Sequence, residues 1–150
     1  MTMKAPPSFT LRPANPDDAQ LFYSVIDRTM REFILATWGR WDEARVQSEA
    51  QVHSRLLNAQ IIEVDRLGIG VLRVARHPTH IELEQIYLLP EYQRLGIGTA
   101  LINRLIAEAK ESIVPVRLQV LVVNPAKQFY EQLGFVVTET TPEFFDMEKA

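Results

Sequence analysis

The centre of this chain is residues 81–110, which read IELEQIYLLPEYQRLGIGTALINRLIAEAK. Ile81 to Leu89 form an apolar-rich run of strand length, and Pro90 ends it. Gly96 and Gly98 then open a segment whose apolar residues recur at helical spacing. The stretch therefore predicts a strand, a glycine-containing loop and a helix.

The loop has the composition of an anion-binding site. Its two glycines lack a Cβ atom, so the backbone there can approach a ligand closely. The N–H groups of residues 95–99 are first-turn donors without an intrahelical partner, and such a helix start suits a pyrophosphate. Arg94 adds a positive charge and Gln93 a neutral donor. Two glycines before a helix are a weak motif alone, and their position after a strand strengthens it.

These residues resemble the motifs of a known protein family. Gln93 to Gly98 resembles the Q/R-x-x-G-x-G/A acyl-CoA loop of the GCN5-related N-acetyltransferase (GNAT) superfamily. Asn124 to Phe135, NPAKQFYEQLGF, is similar to the second signature of that family, in the same order and at a familiar distance. Residues 9–19 also resemble its opening strand and helix, so the resemblance covers nearly the whole chain. One residue departs from the pattern, because Leu95 stands where the family often has glycine.

The resemblance implies an α/β fold, with a mixed, twisted central sheet flanked by helices and a parallel strand pair that forms a V-shaped acyl-CoA cleft. The residues support this independently, because a strand, a helix and a second strand in succession imply a parallel pair joined by a right-handed crossover. Ligands of such units bind beyond the carboxyl ends of the strands. We expect one domain over residues 1–150.

Shorter patterns predict the remaining elements. Asn15 and Pro16 start a helix that runs to about Thr37, and a second helix runs from Asp42 to about Leu56. Residues 61–64 and 69–75 predict a hairpin in which Gly68 or Gly70 relieves the turn. Residues 116–123 predict a strand with an end that is buried on both faces, and residues 135–137 and 144–147 a closing hairpin.

Composition excludes several classes of protein. With 47% hydrophobic and 23% charged residues and a net charge of −3, the chain has the composition of an ordinary soluble globular protein. A pI near 5.6 argues against a general nucleic-acid binder. There is no cysteine for a disulfide or a nucleophile, and the three histidines complete no ligand set, so we expect no metal site. Met1 to Pro7 lacks an apolar signal core and no stretch has membrane-span length, which predicts a cytoplasmic protein without a membrane partner.

Acetyl transfer to an amine needs a neutral amine, a stabilised oxyanion and a proton for the thiolate. The resemblance assigns the last task to Tyr130, whose alternative role is a core aromatic beside Phe129. Glu82 and Glu84 have the same parity on the central strand, and crowding of two carboxylates can raise a pKa toward the range of a base. Glu84 lies nearer the cofactor end. The alternative for both is an exposed strand face or a salt bridge.

The resemblance also implies how acetyl-CoA is held. The backbone near Ile86 and Leu88 pairs with the pantetheine arm, the N–H of Leu88 stabilises the oxyanion, Asn124 holds pantetheine or a water, and Lys127 reaches the ribose phosphate end. Helix capping by Asn124 and simple solvation of Lys127 are the alternatives. The predicted acyl-CoA-binding residues are Ile86, Tyr87, Leu88, Gln93, Arg94, Leu95, Gly96, Ile97, Gly98, Thr99, Asn124, Lys127 and Tyr130.

Trp38 and Trp41 flank Gly39 between the first two predicted helices. They either pack at a helix junction or line an acceptor pocket, because loops at this place line the acceptor side in the resembling family. We treat both as candidate substrate-binding residues. The acceptor is expected to be a small molecule or a peptide, and a homodimer through the closing hairpin is one possible assembly.

The sequence thus predicts an acetyl-CoA-dependent N-acetyltransferase that acts by direct transfer to a primary amine. Its strongest rival is a non-catalytic acyl-CoA-binding or sensing module on the same fold. An unrelated nucleotide-binding domain is a weaker rival, because the glycines are followed by no Walker lysine and form no Rossmann GxGxxG motif.

Overall fold

The computed structural model describes residues 5–150, which form seven strands and four helices with two short 3₁₀ turns. The strands are β1 (Thr10–Pro13), β2 (Ala59–Val64), β3 (Leu67–Arg76), β4 (Ile81–Leu88), β5 (Val116–Leu121), β6 (Val136–Thr140) and β7 (Phe144–Lys149). The helices are α1 (Ala19–Trp38), α2 (Glu43–His53), α3 (Ile97–Ser112) and α4 (Ala126–Gln132). The expectation that Met1 to Pro7 lacks an apolar signal core rests partly on residues 1–4, which lie outside the described residues.

All seven strands join one sheet in the order β1-β2-β3-β4-β5-β7-β6. Neighbouring strands are antiparallel except β4 and β5, which are parallel and are connected through α3. The closing hairpin places β7 between β5 and β6. The predicted mixed α/β sheet with one parallel pair is therefore confirmed.

The parallel pair opens into a V. β4 and β5 are paired only from Ile81 with Val116 to Leu83 with Leu118, although both strands continue beyond these residues. On the other side of β4, the register shifts so that Arg73 pairs with Gln85 and Val74 pairs with Leu83. Glu84 is the extra residue of this β-bulge, and bulges bend and twist a strand. The predicted V-shaped cleft is thus present at the end of the β4–β5 pair.

Two cores cover the two faces of the sheet. On one face α3 packs through fully or nearly fully buried residues such as Ile97 and Leu101. On the other face α1 and α2 pack through Phe22, Val25 and Ala50. The alternation of strand side chains places successive residues in opposite cores. Among the helices of residues 5–150, none has the combination of length and apolar character that crossing a membrane requires.

The turn between β2 and β3 differs from the prediction. It is made by Asp65 and Arg66, both with positive φ (52° and 66°), so neither glycine relieves it. Two successive positive φ angles are typical of a two-residue hairpin turn. Gly70 lies inside β3, where a Cβ atom would come 2.5 Å from the carbonyl oxygen of Tyr87. This glycine is needed for close strand packing and not for the turn.

Two predicted boundaries also shift. α2 ends at His53 and not near Leu56, because its last turn closes there through the N–H of Ser54. β5 ends at Leu121, so Val120 and Leu121 are buried as expected, whereas Val122 and Val123 lie beyond the strand and are 40% and 44% exposed. The chain leaves the strand because the N–H of Asn124 turns back to the carbonyl of Leu121.

A local ion pair ties the start of α1 to the sheet edge. Asn15 caps the short turn before α1 as predicted, and Asp18 accepts a hydrogen bond from the N–H of Asn15. Asp18 also pairs with Arg12 of β1 at 2.8 Å, and Arg12 in turn contacts Glu63 of β2 at 3.1 Å. The hydrogen bonds from Arg12 lower the pKa of the buried Asp18 carboxyl below its ordinary value.

We predict that Gly70→Ala destabilises the protein by about 2 kcal/mol, because the added methyl group meets a backbone oxygen that cannot move without disturbing β4. Gly98→Ala is the matched control. A Cβ atom there meets no described atom nearer than 3.8 Å, so stability should stay unchanged or rise by about 0.5 kcal/mol. Urea denaturation measures both, and equal midpoints for the two variants would contradict the packing of β3 against β4.

We predict that Asp18→Asn lowers the free energy of unfolding by about 1–2 kcal/mol at pH 7, since it removes a charged partner of Arg12. The folded pKa of Asp18 lies below its ordinary value of 3.8, so its stabilising effect is complete above the unfolded pKa and is lost as the pH falls through the folded pKa. The difference between wild type and variant should therefore close below pH 3.8. Asp17→Asn, at an exposed neighbour, should show no such closure.

Candidate active site

A hollow of about 230 Å³ lies where β4 and β5 separate. Residues 83–87 of β4 and 118–121 of β5 form its floor. The other lining residues come from α1, from the turn before α4, from α4 and from β7, and are Met30, Ile34, Trp38, Asn124, Tyr130 and Phe144. Elements from both faces of the sheet therefore converge at this split.

Two tyrosine side chains line the hollow, Tyr130 as predicted and Tyr87 in addition. Tyr130 packs on Phe129 and Phe135, with ring centroids 5.4 and 5.8 Å away, so it contributes to the core as well as to the hollow. Burial, and then the neighbouring Tyr87, raise the pKa of Tyr130, and burial also raises the pKa of Tyr87. Both hydroxyl groups thus remain protonated at neutral pH and are able to donate a proton or a hydrogen bond.

Glu84 lines the same hollow and is held by neighbours on the α1 side of the sheet. Its carboxylate pairs with Arg73 of β3, whose side chain is only 11% exposed, and lies 3.4 Å from the amide nitrogen of Asn58. The salt bridge that the sequence analysis kept as an alternative is therefore present. Glu84 is nevertheless one of the residues that line the hollow with Tyr130.

Glu82 is not part of this hollow. It lines a second hollow of about 410 Å³ together with Arg117, Asp146 and Glu148. Burial, followed by repulsion from Glu84, raises the pKa of Glu82. Leu83 lies between the two glutamates and is the last β4 residue that pairs with β5. Glu82 therefore lies over the paired part of the strands, and Glu84 at the split.

The glycine loop leads into α3 as predicted. The positive φ angles fall on Arg94 (62°) and Gly96 (89°) and not on Leu95, so leucine causes no backbone strain at the position where it departs from the family pattern. The first helical bond runs from Ala100 N–H to Gly96 carbonyl. Within residues 5–150, the N–H groups of Ile97, Gly98 and Thr99 have no backbone acceptor. Three free donors at a helix start fit an anionic group such as a pyrophosphate.

The end of β4 offers an open backbone edge. Leu89 donates its N–H to Ile69 of β3 at 2.8 Å, and strand backbone groups alternate in direction, so Ile86 and Leu88 point away from β3 toward the split. The side-chain nitrogen of Gln93 donates to the Leu88 carbonyl at 2.9 Å, which fixes the loop to the strand end. This edge, the free helix start and the open space at Gly98 fit an elongated acyl-CoA.

Asn124 makes one contact for each of its two predicted roles, helix capping and ligand binding. Its side-chain oxygen accepts the N–H of Ala126 at 2.9 Å and so caps α4, while its side-chain nitrogen lies 3.9 Å from the sulfur of Met30 and faces the hollow. Lys127 is engaged elsewhere, since its ammonium group lies 4.7 Å from the ring centre of Phe145 and 3.8 Å from Glu131.

The structure separates the two tryptophans. Trp38, at the end of α1, lines the hollow and stands 6.0 Å from the ring of Phe144. Trp41 does not line it. The ring of Trp41 lies 4.5 Å from the guanidinium of Arg31, and its indole N–H donates to Glu43 at 2.7 Å. Trp41 thus has the packing role at the helix junction that the sequence analysis kept as an alternative.

Sequence reasoning missed several lining residues. Met30, Ile34 and Trp38 recur at i, i+4 and i+8 on α1, so helical spacing would have grouped them once Trp38 was chosen. Simple alternation along β4 assigns the side chain of Tyr87 to the wrong face, because the bulge at Glu84 changes the parity of the strand. No local pattern marks Phe144, because it reaches the hollow only through the pairing of β7 with β5.

The described residues contain no group of three His, Asp or Glu side chains able to hold a metal ion. His77 and His80 stack with ring centres 4.7 Å apart at the turn before β4. The hollow itself is lined by Glu84 and by two tyrosines that are protonated at neutral pH.

The fold is shared by solved acetyltransferase structures. The PaiA N-acetyltransferase of Thermoplasma acidophilum, solved in complex with coenzyme A, superposes with a TM-score of 0.71 at 24% identity, over 95% of this chain and 98% of that one. A GCN5-related N-acetyltransferase of Rhodopseudomonas palustris gives 0.72 at 20% identity, over 100% and 98%. Arabidopsis thaliana Naa50, bound to the bisubstrate analogue CoA-Ac-MVNAL, gives 0.64 at 14% identity, over 95% and 99%.

No curated protein matches this chain in sequence. A family model described as an acetyltransferase (GNAT) domain does match, over residues 55–137, which is more than half of the 150 residues. This span includes β4, the glycine loop, α3, β5 and α4, and so contains both strands of the split. The chain therefore belongs to the GNAT family of acetyltransferases.

Proposed function

We propose that this chain transfers the acetyl group of acetyl-CoA to a primary amine by direct attack. The observation that carries the proposal is that a protonated Tyr130 hydroxyl lines the same hollow as the open edge of β4. Among the described residues, burial and the charge of Tyr87 are what perturb the pKa of Tyr130, with no hydrogen bond from another side chain, so its hydroxyl is free to meet a substrate. A proton donor beside an open strand edge is the arrangement that thioester aminolysis needs.

Acetyl-CoA would bind along the split with its pyrophosphate at the start of α3. The N–H groups of Ile97, Gly98 and Thr99 would hold the phosphates, and the exposed Arg94 would add a charge beside them. Gln93, Leu95 and Gly96 would shape the loop. The backbone of Ile86, Tyr87 and Leu88 would hold the pantetheine arm, with Asn124 facing it across the hollow. A role for Lys127 at the ribose phosphate end stays a prediction.

The amine nitrogen attacks the thioester carbon, forming a C–N bond, and the C–S bond then breaks. The N–H of Leu88 would stabilise the negative charge that develops on the carbonyl oxygen. Tyr130 would donate its proton to the departing sulfur and recover one from solvent. This leaves coenzyme A as a thiol and the product as a neutral amide.

The attacking amine must also lose a proton. We propose Glu84 as the acceptor of that proton, directly or through a water molecule, because it lines the hollow where the amine must lie. Glu82, the other candidate, faces the second hollow and is the weaker choice. Because Glu84 is paired with Arg73, we favour transfer through water. A water molecule would carry the proton from the amine to the carboxylate, which would not have to leave Arg73.

Other expectations of the sequence analysis stay predictions. We propose that the whole chain acts as one catalytic domain on an amine acceptor, which is a small molecule or a peptide, in the cytoplasm. A homodimer through the closing hairpin stays possible, because β6 is the last strand of the sheet and Val136 on it is 62% exposed. For the acceptor side we retain Trp38, which lines the hollow, and not Trp41, which lies outside it.

We predict that Tyr130→Phe lowers kcat by about 10²-fold or more while the Kd for acetyl-CoA stays unchanged, because only the proton donor is lost. Since burial raises the pKa of Tyr130 above its ordinary value of 10.0, loss of its proton should cause no descending limb in the kcat profile below pH 10. Thiol release measures both.

Tyr23→Phe is the control for this test, because the Tyr23 hydroxyl bonds to Glu43 outside the hollow. Tyr87→Phe distinguishes the two phenols, and it should retain more activity than Tyr130→Phe. A Tyr130→Phe protein with full kcat would contradict the proposed role of Tyr130 as the general acid. Tight acetyl-CoA binding with no amine able to raise thiol release above hydrolysis would favour the sensing module instead.

We predict that Gly98→Asp weakens acetyl-CoA binding by about tenfold or more without lowering the unfolding midpoint. A carboxylate in the first turn of α3 is favourable for the helix but repels the phosphates of the ligand. Gly98→Ala is the control and should retain binding, since open space surrounds this position. Isothermal titration with acetyl-CoA measures the effect. Unchanged binding in Gly98→Asp would place the pyrophosphate elsewhere.

A further inference from the structure

We propose that the amine acceptor is a monoamine carried on an apolar group, aromatic or branched aliphatic, and that Trp38 and Phe144 form the subsite for that group. This inference rests on the proposed function and names the class of its acceptor. It follows from the shape, exposure and charge of the hollow.

The side of the hollow formed by α1 and β7 is apolar throughout. Met30, Ile34 and Trp38 present one continuous stripe of α1, and Phe144 meets Trp38 at an interplanar angle of 57°. This pair joins the end of α1 to the start of β7. An acceptor that reaches the split on this side therefore passes along four apolar side chains.

Exposed apolar residues adjoin these lining residues along the chain. Trp38 is 49% exposed and Leu35, one turn earlier on α1, is 42% exposed. Val122 and Val123, directly after β5, are 40% and 44% exposed, and the N–H of Val122 bonds to the carbonyl of Glu143, the residue before Phe144. Single exposed apolar residues are ordinary, but a set that adjoins a site marks a surface for an apolar ligand.

The charge of the hollow favours one ammonium group and no more. Among the described residues, Glu84 is the one charged side chain that lines it, and Arg73 already pairs with this carboxylate. A second ammonium group on the acceptor would find no second carboxylate in this lining, and the loss of its water is costly without a charged partner. The volume of about 230 Å³, shared with the acetyl thioester, further limits the apolar group to a small one.

The second hollow is the place that would favour a polyamine, since Glu82, Glu139, Asp146 and Glu148 line it. However, three of these carboxylates have partners in the protein: Arg117 contacts Glu148 at 2.8 Å, Gln119 donates to Asp146 at 3.0 Å, and His80 lies 3.6 Å from Glu82. Tyr130 does not line this second hollow. We therefore favour the apolar acceptor and treat the polyamine as an outcome of the test.

The first arm of the test compares acceptors of matched length in the thiol-release assay with acetyl-CoA. Butylamine should give a kcat/KM at least about tenfold above that of 1,4-diaminobutane, and 3-methylbutylamine or 2-phenylethylamine should exceed methylamine by about tenfold or more. Peptides that begin with leucine or lysine test whether the apolar acceptor is a peptide amino terminus or a free amine. Higher kcat/KM for 1,4-diaminobutane or spermidine would overturn the proposal.

The second arm uses the two tryptophans as a matched pair. Trp38→Ala should lower kcat/KM for 2-phenylethylamine by about tenfold and leave that for methylamine unchanged, because only the larger amine reaches the indole. Trp41→Ala should change neither value, since Trp41 lies outside the hollow. Equal losses for both amines in Trp38→Ala would show a general structural effect and would contradict the subsite.

The third arm separates this inference from the proposed function. The sequence contains two tryptophans, so Trp41→Phe leaves Trp38 as the sole indole reporter. Addition of 2-phenylethylamine to the coenzyme A complex of this variant should change its fluorescence with saturation, and 1,4-diaminobutane should not. Saturable binding without any acetyl transfer would retain the apolar subsite and reject the proposed reaction. Transfer to polyamines alone, or no response from Trp38, would reject the subsite.

Discussion

The site depends on one constraint, which is that two parallel strands stop sharing hydrogen bonds while both continue. β4 and β5 pair through Leu83 and Leu118, and beyond these residues the inner edge of β4 faces open space. Buried backbone groups without partners are costly, so such an edge needs water or a ligand to satisfy it. An elongated ligand with its own amide groups would meet that need. The cleft is thus a place in the sheet where two neighbouring strands lack hydrogen bonds to each other.

The surrounding chain holds the split open. The bulge at Glu84 bends β4, and the ion pair of Glu84 with Arg73 keeps the bulged residue on the α1 side. β5 is supported on its far edge by β7, which pairs with it as far as Leu121 with Phe144. Gln93 satisfies the carbonyl of Leu88 and so connects the strand end to the glycine loop. Each contact stabilises one arm of the V without closing it.

The same side chains serve the core and the hollow. Tyr130 packs against Phe135 on the α3 side of the sheet and also faces the split, and α1 brings Trp38 and Ile34 from the opposite side. Burial that helps the fold also raises the pKa of Tyr130, which keeps its proton available. The end of α1 differs in character, because Trp38 remains 49% exposed instead of filling a core.

The amino-acid sequence was enough to predict the elements that depend on local chemistry: the strand that ends at Pro90, the glycine loop and α3, the cap at Asn15 and the crossover that makes β4 and β5 parallel. It did not determine the turn at Asp65 and Arg66, the early end of β5, or the separation of Glu82 from Glu84. Nor did it place Phe144 beside Trp38, some hundred residues away in the chain. Those features depend on strand register and on which elements meet across the sheet, and local spacing carries no information about contacts between distant segments.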